Sequence, residues 1–142
     1  MAFIAQASRT LSVKPEVAFD KLADFPSWQE WMPQSFRPVS KQSTSLRVGD
    51  RVRVRISGMP APVTIEVTVL DRARELTWCG GPRGILRAEH RFLFEPHDDG
   101  AVVRSVETWS GALAGLLKFV VKPGAERVGL QQLAALARAI SR

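Results

Sequence analysis

A histidine and a glutamate on two adjacent predicted strands are the residues of this chain best suited to chemistry. Strand alternation places His90 on the same face as Phe92 and Phe94, and Glu107 on the same face as Trp109. The Asp-Asp-Gly turn between the two strands is typical of a hairpin. Antiparallel pairing then puts His90 and Glu107 at nearly equal distances from the turn. We expect the two side chains to be neighbours that point toward the interior.

A histidine next to a carboxylate in an aromatic cavity is a candidate acid/base pair. An apolar wall raises the proton affinity of the carboxylate, and the carboxylate charge favours the imidazolium. Proton transfer next to a carbonyl group could use such a pair, with His90 as the base and Glu107 orienting it. The alternative is a buried polar pair, satisfied by hydrogen bonding, that orients Trp78 or Trp109. The residue pattern leaves both interpretations open.

Other chemistries lack a comparable set of residues. The two histidines and the single Cys79 have no metal-ligand spacing, and no Gly-x-Ser-x-Gly motif is present. The glycine-rich stretch 80–84 lies between strands and lacks the lysine of a phosphate-binding loop. We therefore predict no metal and no cofactor, and we interpret this stretch as a loop at the mouth of a pocket.

Two tryptophans near the N-terminus indicate a large apolar surface. Trp28 and Trp31 are three residues apart, so on a short helix they share one face, and their indole N–H groups need partners. We expect them near the mouth of a cavity whose other walls include Trp78 and Trp109. With four tryptophans and seven phenylalanines in the chain, aromatic side chains could instead fill that space.

Periodicity and turn residues predict the elements that position these side chains. A strand is predicted at 3–11, a helix from Pro15 to about 24, a short helix at the tryptophans and a weak strand at 36–45. Further strands are predicted at 51–57, 63–70, 76–79, 85–95 and 101–110. A helix at 116–140, kinked or restarted at Pro123, is expected to bury one face consisting of Leu130, Leu133, Ala134, Ala137 and Ile140.

This order of elements predicts an α+β fold. One curved antiparallel sheet of about seven strands wraps a long C-terminal helix, and two short helices follow the first strand. The length of 142 residues and the 45% hydrophobic content fit a single domain over residues 1–142. No run approaches the roughly 18 apolar residues of a membrane span, and Met1 leads directly into a strand. We expect a cytoplasmic protein.

The net charge of +6 raises the question of anionic partners. Arg51, Arg53 and Arg55 alternate with aliphatic residues, so they share one face of a strand. A nucleic-acid site would interleave exposed aromatic residues or a recognition helix with these charges, and the sequence has neither there. We predict no nucleic-acid binding. A solvated sheet face and a membrane-surface site remain open.

Four segments together resemble the START-like superfamily with the helix-grip fold, specifically its polyketide cyclase/dehydrase branch, the SRPBCC proteins. They are DFPSWQEWMP at 24–33, EHRFLFEP at 89–96, VETWSG at 106–111 and the C-terminal amphipathic helix. The resemblance covers nearly the whole chain and implies a cavity between sheet and helix for a lipid-like or polyketide-like molecule. The chain has no tyrosine. It therefore lacks the phenol hydroxyls that resembling cyclases are thought to use for orienting polyketide oxygens.

A narrower resemblance links the stretches 47–49 and 56–61 to the gate region of plant abscisic-acid receptors, and 89–91 to their latch. It implies that Met59 is a gate residue over the ligand. The position of the receptors' carboxylate-binding lysine falls on Phe36, so hormone binding does not carry over. Proline and glycine would equally suit a tight hairpin at this place. An exposed strand edge or the Met59 gate could support a homodimer.

The sequence therefore predicts that the chain binds an apolar or aromatic small molecule between the sheet and the C-terminal helix. Two alternatives stay open, a polyketide cyclase or dehydratase that uses His90 and Glu107, and a lipid carrier or membrane-surface protein that uses the basic sheet face. Arg37 could help to orient the ligand. The predicted ligand-binding residues are Trp28, Trp31, Met59, Trp78, His90, Phe92, Phe94, Glu107 and Trp109.

Overall fold

The computed structural model describes residues 2–141, which form one antiparallel sheet and three α-helices. The strands are β1 (Phe3–Leu11), β2 (Phe36–Pro38), β3 (Arg51–Ile56), β4 (Val63–Asp71), β5 (Glu75–Gly80), β6 (Arg87–His97) and β7 (Gly100–Ser110). The helices are α1 (Pro15–Ala23), α2 (Trp28–Trp31) and α3 (Ala114–Ile140), and a single 3-10 turn (Phe25–Ser27) precedes α2.

The seven strands form one curved sheet in the order β1-β7-β6-β5-β4-β3-β2. Every neighbouring pair is antiparallel. Helix α3 packs against β1 and β7, and α1 packs against α3, β6 and β7. This arrangement confirms the predicted helix-grip fold. Among residues 2–141, no helix is long and apolar enough to cross a membrane.

Side-chain alternation divides the sheet into a buried concave face and a solvated convex face. On β3, Val52 and Val54 are buried, whereas Arg51, Arg53 and Arg55 are exposed. The arginines therefore line the convex face, as their spacing predicted. They share that face with acidic residues of β4, and Arg51 lies 3.8 Å from a carboxylate oxygen of Glu66.

The strand predicted at 36–45 is much shorter than expected. Only Phe36–Pro38 pairs with β3, and the chain then leaves the sheet in a loop. Gln42 holds this loop, because its amide donates to the backbone carbonyl of Thr44 and to the carboxylate of Asp50. Local side-chain hydrogen bonds of this kind compete with strand pairing. The polar composition of the loop also gives a strand little to bury.

The buried face of α3 also differs from the predicted one. The helix runs without interruption through Pro123, and Leu130 is 55% exposed instead of buried. The residues that face the core are Val128, Gln132, Leu133, Ala135 and Leu136. The prediction included Leu130 in the buried face and left out Val128 and Leu136. The observed face is centred on Gln132, a polar residue that a hydrophobic pattern cannot include.

Candidate functional site

The predicted contact between His90 and Glu107 is present. The hairpin of β6 and β7 places the two residues directly opposite each other in the register. The imidazole Nδ1 of His90 lies 3.0 Å from Oε1 of Glu107. Both side chains point to the concave face, where that of His90 is 3% exposed and that of Glu107 is 14% exposed. Glu107 is thus the more accessible member of the pair.

A chain of hydrogen bonds extends the pair in both directions. The Nε2 atom of His90 lies 2.7 Å from the hydroxyl of Ser105. On the other side, the indole N–H of Trp109 donates to Oε2 of Glu107 at 3.3 Å. A carboxylate can only accept, so Nδ1 of His90 donates to Glu107, while Nε2 lies within hydrogen-bond distance of the Ser105 hydroxyl. Both ring nitrogens of His90 therefore have protein partners.

Ser105 is a member of the site that sequence reasoning did not single out. It is buried on the same face of β7 as Glu107, and α3 closes over it at Gly129. A Cβ atom on Gly129 would lie 3.1 Å from the Ser105 hydroxyl and 3.6 Å from Ala7. A glycine inside a long predicted helix was the available signal, because it often marks a close approach to another element.

Aromatic side chains fill the inner part of the concave face. The ring centroid of Trp78 lies 5.5 Å from that of Trp28, 5.7 Å from Phe36 and 5.1 Å from Phe92. The imidazole of His90 stacks on Phe92 at 4.2 Å and meets the edge of Trp78. Offset and tilted pairs at these distances are favourable packing geometries. Here the rings form core, and Phe94 is buried as well.

The two tryptophans of α2 are buried in this core. Trp28 is completely buried, and its indole N–H donates to the carbonyl of Leu22 at 2.9 Å. The indole of Trp31 donates to the hydroxyl of Ser27 at 2.8 Å. The expectation that both indoles need hydrogen-bond partners is confirmed. Trp28 does not lie at an entrance, because it packs inward onto Phe36 and Trp78, whereas Trp31 lines a surface groove between α2 and the second half of α3.

Toward one end of the sheet several inward-facing side chains are less buried, and we call this end the open end. They are Ile56, Val63, Ala88, Glu107 and Trp109, whereas Phe3 and Phe36 at the same end are buried. The half-buried Leu117 and Val121 of α3 continue this partly accessible apolar surface. The β3–β4 and β5–β6 connections begin at the same end. Glu107 therefore lies at the boundary between the packed aromatic core and the open end.

Two other predicted positions lie outside this arrangement. Met59 is 40% exposed in the β3–β4 connection, where its backbone N–H donates to Ile56 and closes a turn after Gly58 (φ +88°). Its role as a gate stays a prediction. Arg37 does not face the concave side. Its guanidinium donates to the backbone carbonyls of Met32 and Gln29 at 2.7 and 2.8 Å, so it caps the end of α2.

One family of known proteins matches nearly the whole chain. Residues 2–141 match the family described as polyketide cyclase / dehydrase and lipid transport. The chain belongs to this family. Membership gives it a hydrophobic-ligand-binding fold and leaves the ligand open. No curated protein matches the chain.

Solved structures of other proteins share the fold of this family member. A hypothetical protein from Helicobacter pylori superposes with a TM-score of 0.75 at 20% identity, over 99% of this chain and 88% of that one. The ZhuI aromatase/cyclase from a Streptomyces species superposes with a TM-score of 0.72 at 13% identity, over 100% and 95% of the two chains. A Thermus thermophilus protein gives 0.70 at 20% identity, over 98% and 97%. At these identities the likeness concerns the fold alone.

Two further features of this family member bear on its site. Gln132 is buried, and among the described residues neither its amide oxygen nor its amide nitrogen has a hydrogen-bond partner. A buried amide without a partner is unfavourable unless water or another polar group reaches it. Two open surface grooves of the described chain do not include His90 or Glu107. The larger, of about 580 Å³, lies between the α2–β2 segment and the second half of α3.

Proposed function

We propose that this protein binds a small apolar or partly aromatic molecule at the open end, between the sheet and the first half of α3. The observation that carries the proposal is the position of Glu107. Its carboxylate lies beside Trp109 and next to half-buried apolar residues, and it is partly accessible while its partner His90 is buried. A few placed polar groups in an apolar recess are typical of small-molecule sites.

The aromatic core limits the size of such a ligand. Trp28, Phe36, Trp78 and Phe92 already occupy the inner part of the concave face. The ligand would therefore occupy the outer part only, above Glu107 and Ala88. A molecule that buries about 300 Å² of apolar surface there gains on the order of 7 kcal/mol before the entropic costs of binding.

Glu107 would select for a ligand that carries a hydrogen-bond donor. Its Oε1 accepts from His90 and its Oε2 accepts a longer bond from Trp109, which leaves Oε2 with a lone pair for a further donor. A ligand hydroxyl or ammonium group could donate to that oxygen. Charge-assisted hydrogen bonds of this kind are stronger than neutral ones, and they orient an otherwise apolar molecule.

The first experiment is native mass spectrometry of freshly purified protein, followed by denaturing extraction. We expect a small apolar molecule to be retained at about one copy per chain. If the protein is empty, we titrate it with a panel of fatty acids and aromatic polyketides. Tryptophan fluorescence then reports binding. An empty protein that ignores the whole panel would contradict the proposal.

A pair of variants locates the site. Ala88→Leu places a larger side chain on the inward face of the open end, opposite Trp109, and should weaken binding about tenfold or more. Thr108→Leu is the matched control, because residue 108 is next to Trp109 in sequence. It adds an aliphatic side chain on the outward face of β7. Equal loss in the two variants would mean that the ligand does not occupy the open end.

The hydrogen-bond chain favours a second candidate, an acid/base enzyme of polyketide cyclase or dehydratase type. Because both nitrogens of His90 have partners, Glu107 would be the group that meets the substrate, with His90 as a positioning residue. A bound 1,3-diketone offers an acidic proton that a carboxylate can remove. In deuterated water, Glu107→Gln should then slow the exchange of that proton at least tenfold, whereas unchanged exchange would exclude this role.

A further inference from the structure

The first half of α3 carries an apolar face that no part of the described chain covers. Leu116, Phe119 and Val120 are 77%, 87% and 77% exposed, and Pro123 is exposed in the next turn. Their spacing of three and four residues places them in one stripe along the helix. We call this stripe the outer face of α3. Leu117 and Val121, which are half-buried, follow the opposite side.

The outer face continues onto the β5–β6 connection. The backbone N–H of Leu113 donates to the carbonyl of Ile85, and that of Ala112 donates to Gly84. Gly111 has a φ of +109°, and a Cβ atom there would lie 2.5 Å from the backbone of Ile85. The two segments are thus tightly joined, and the exposed Ile85 and Leu113 enlarge the patch at the start of the helix.

The charges around this patch are mainly positive. Lys122 flanks the stripe on α3, Arg127 follows it one turn after Pro123, and Arg83 is exposed in the β5–β6 connection. The stretches 80–88 and 111–127 contain five lysines and arginines and one acidic residue, Glu126. An anionic surface complements this distribution. A second copy of the chain does not, because a symmetric contact would bring two sets of cations together.

We propose that the outer face of α3 docks on an anionic membrane surface. The apolar side chains would enter the boundary between headgroups and acyl chains, while Lys122, Arg127 and Arg83 would contact lipid phosphates. This function is independent of the proposed ligand site. It also differs from a membrane site on the basic sheet face, because Arg51, Arg53 and Arg55 there lack an accompanying apolar patch and lie next to the acidic Glu66.

Flotation with two kinds of vesicle tests the proposal. We expect the protein to float with phosphatidylcholine vesicles that contain about one-third phosphatidylserine, and to float far less with pure phosphatidylcholine. About 0.5 M salt should reduce the bound fraction severalfold, because it screens the basic side chains. Absence of flotation with the anionic vesicles would overturn the proposal.

Matched variants test which surface of the protein binds the vesicles. Phe119→Ser should lower the vesicle partition coefficient about tenfold, since one large apolar side chain is removed from the interface. Val48→Ser is the control, because Val48 is also well exposed but lies in the turn before β3. Lys122→Glu with Arg127→Glu should abolish the preference for phosphatidylserine. Replacing Arg51, Arg53 and Arg55 by Gln should leave flotation unchanged, and the reverse pattern would contradict the assignment.

Sedimentation velocity of the same proteins tests whether a second copy of the chain covers the outer face instead. We expect a monomer at micromolar concentration for both the wild type and Phe119→Ser. A wild-type dimer that dissociates in Phe119→Ser would show that a second copy covers the outer face, and it would overturn the membrane assignment.

Discussion

The hydroxyl of Ser105 lies between the imidazole of His90 and the backbone of α3 at Gly129. Its position is held by the 2.7 Å contact with Nε2 of His90. A Cβ atom on Gly129 would approach this hydroxyl to 3.1 Å. The glycine therefore sets the distance between the helix and the hydrogen-bond chain of the candidate site. Residue-scale packing and the chemistry of the site are coupled at this point.

A comparison of two glycines on α3 tests that coupling. Gly124→Ala places its Cβ in open space, so it should stabilise the protein by up to about 1 kcal/mol through helix propensity. Gly129→Ala has the same propensity gain but displaces the Ser105 hydroxyl, and we expect a net loss of about 1–2 kcal/mol. Urea unfolding measures both changes.

The variant Ser105→Ala supplies the control for this comparison. Without the hydroxyl, the nearest atoms to a Cβ on residue 129 are at 3.6 and 3.7 Å, which is ordinary contact. Gly129→Ala should therefore be less destabilising in the Ser105→Ala background than in the wild type. Equal effects in the two backgrounds would mean that Ser105 does not determine the tolerance of this position.

The parts of the site that the sequence could predict are those governed by strand alternation. A hairpin turn and a period of two determine that His90 faces Glu107. Ser105 and Gln132 follow no such rule. Ser105 is a small polar residue whose role depends on where α3 crosses β7, and Gln132 is a polar residue at the centre of a buried helix face. Tertiary packing determines both positions.

At the scale of elements, α3 consists of two halves with different surroundings. The second half buries Val128, Leu133 and Leu136 in the core, whereas the first half exposes its outer face and is only half-buried on the other side. Pro123 lies between them and cannot donate the backbone hydrogen bond to the carbonyl four residues earlier. The first half therefore has both less packing and one hydrogen bond fewer.

Hydrogen exchange should resolve the two halves. Amides in 114–122 are expected to exchange at least tenfold faster than those in 128–136, because local opening there exposes little additional apolar surface. Anionic vesicles should slow exchange in the first half only, if the outer face docks on them. Mass spectrometry of peptides from each half makes the measurement, and uniform protection along α3 would contradict the expected difference.

Element boundaries in the sheet were predictable wherever alternating aliphatic residues met a turn. The bounds of β1 coincide with the predicted 3–11, and β3, β4 and β7 differ from prediction by one residue at one end. The larger differences are the length of β2, the position of β6 two residues further along the chain than the predicted 85–95, and the buried face of α3. In β2 a polar loop ends the strand early, and in α3 the outward-facing aliphatic residues of both halves obscure which side packs on the sheet. Hydrophobic periodicity carries no information on which of two apolar faces is covered.

At the scale of the whole molecule, acidic side chains with shifted pKa values link separate elements. The bidentate contact of Arg72 with Asp20, at 3.0 and 2.7 Å, joins the β4–β5 turn to α1 and lowers the pKa of Asp20 from its usual 3.8. A hydrogen bond from Thr77, together with Arg91 of the next strand, lowers the pKa of Glu75 from its usual 4.5. The Asp20 pair is about half exposed, so solvent weakens it. Glu75 is less exposed, and we expect it to contribute more to stability.

The lowered pKa values of Asp20 and Glu75 determine how stability should change with pH. A carboxyl group whose pKa is lower in the folded chain than in the unfolded chain stabilises the fold above the unfolded pKa. That contribution is lost as the pH falls through the folded pKa. The free energy of unfolding of the wild type should therefore exceed that of Glu75→Gln near neutral pH, and the difference should shrink as the pH falls below about 4.5. Urea unfolding of the two proteins between about pH 7 and pH 3 measures it, with Asp20→Asn as a second variant whose effect should be more sensitive to salt. A difference between wild type and Glu75→Gln that stays constant over this range would mean that the contacts with Thr77 and Arg91 do not stabilise the charged form of Glu75.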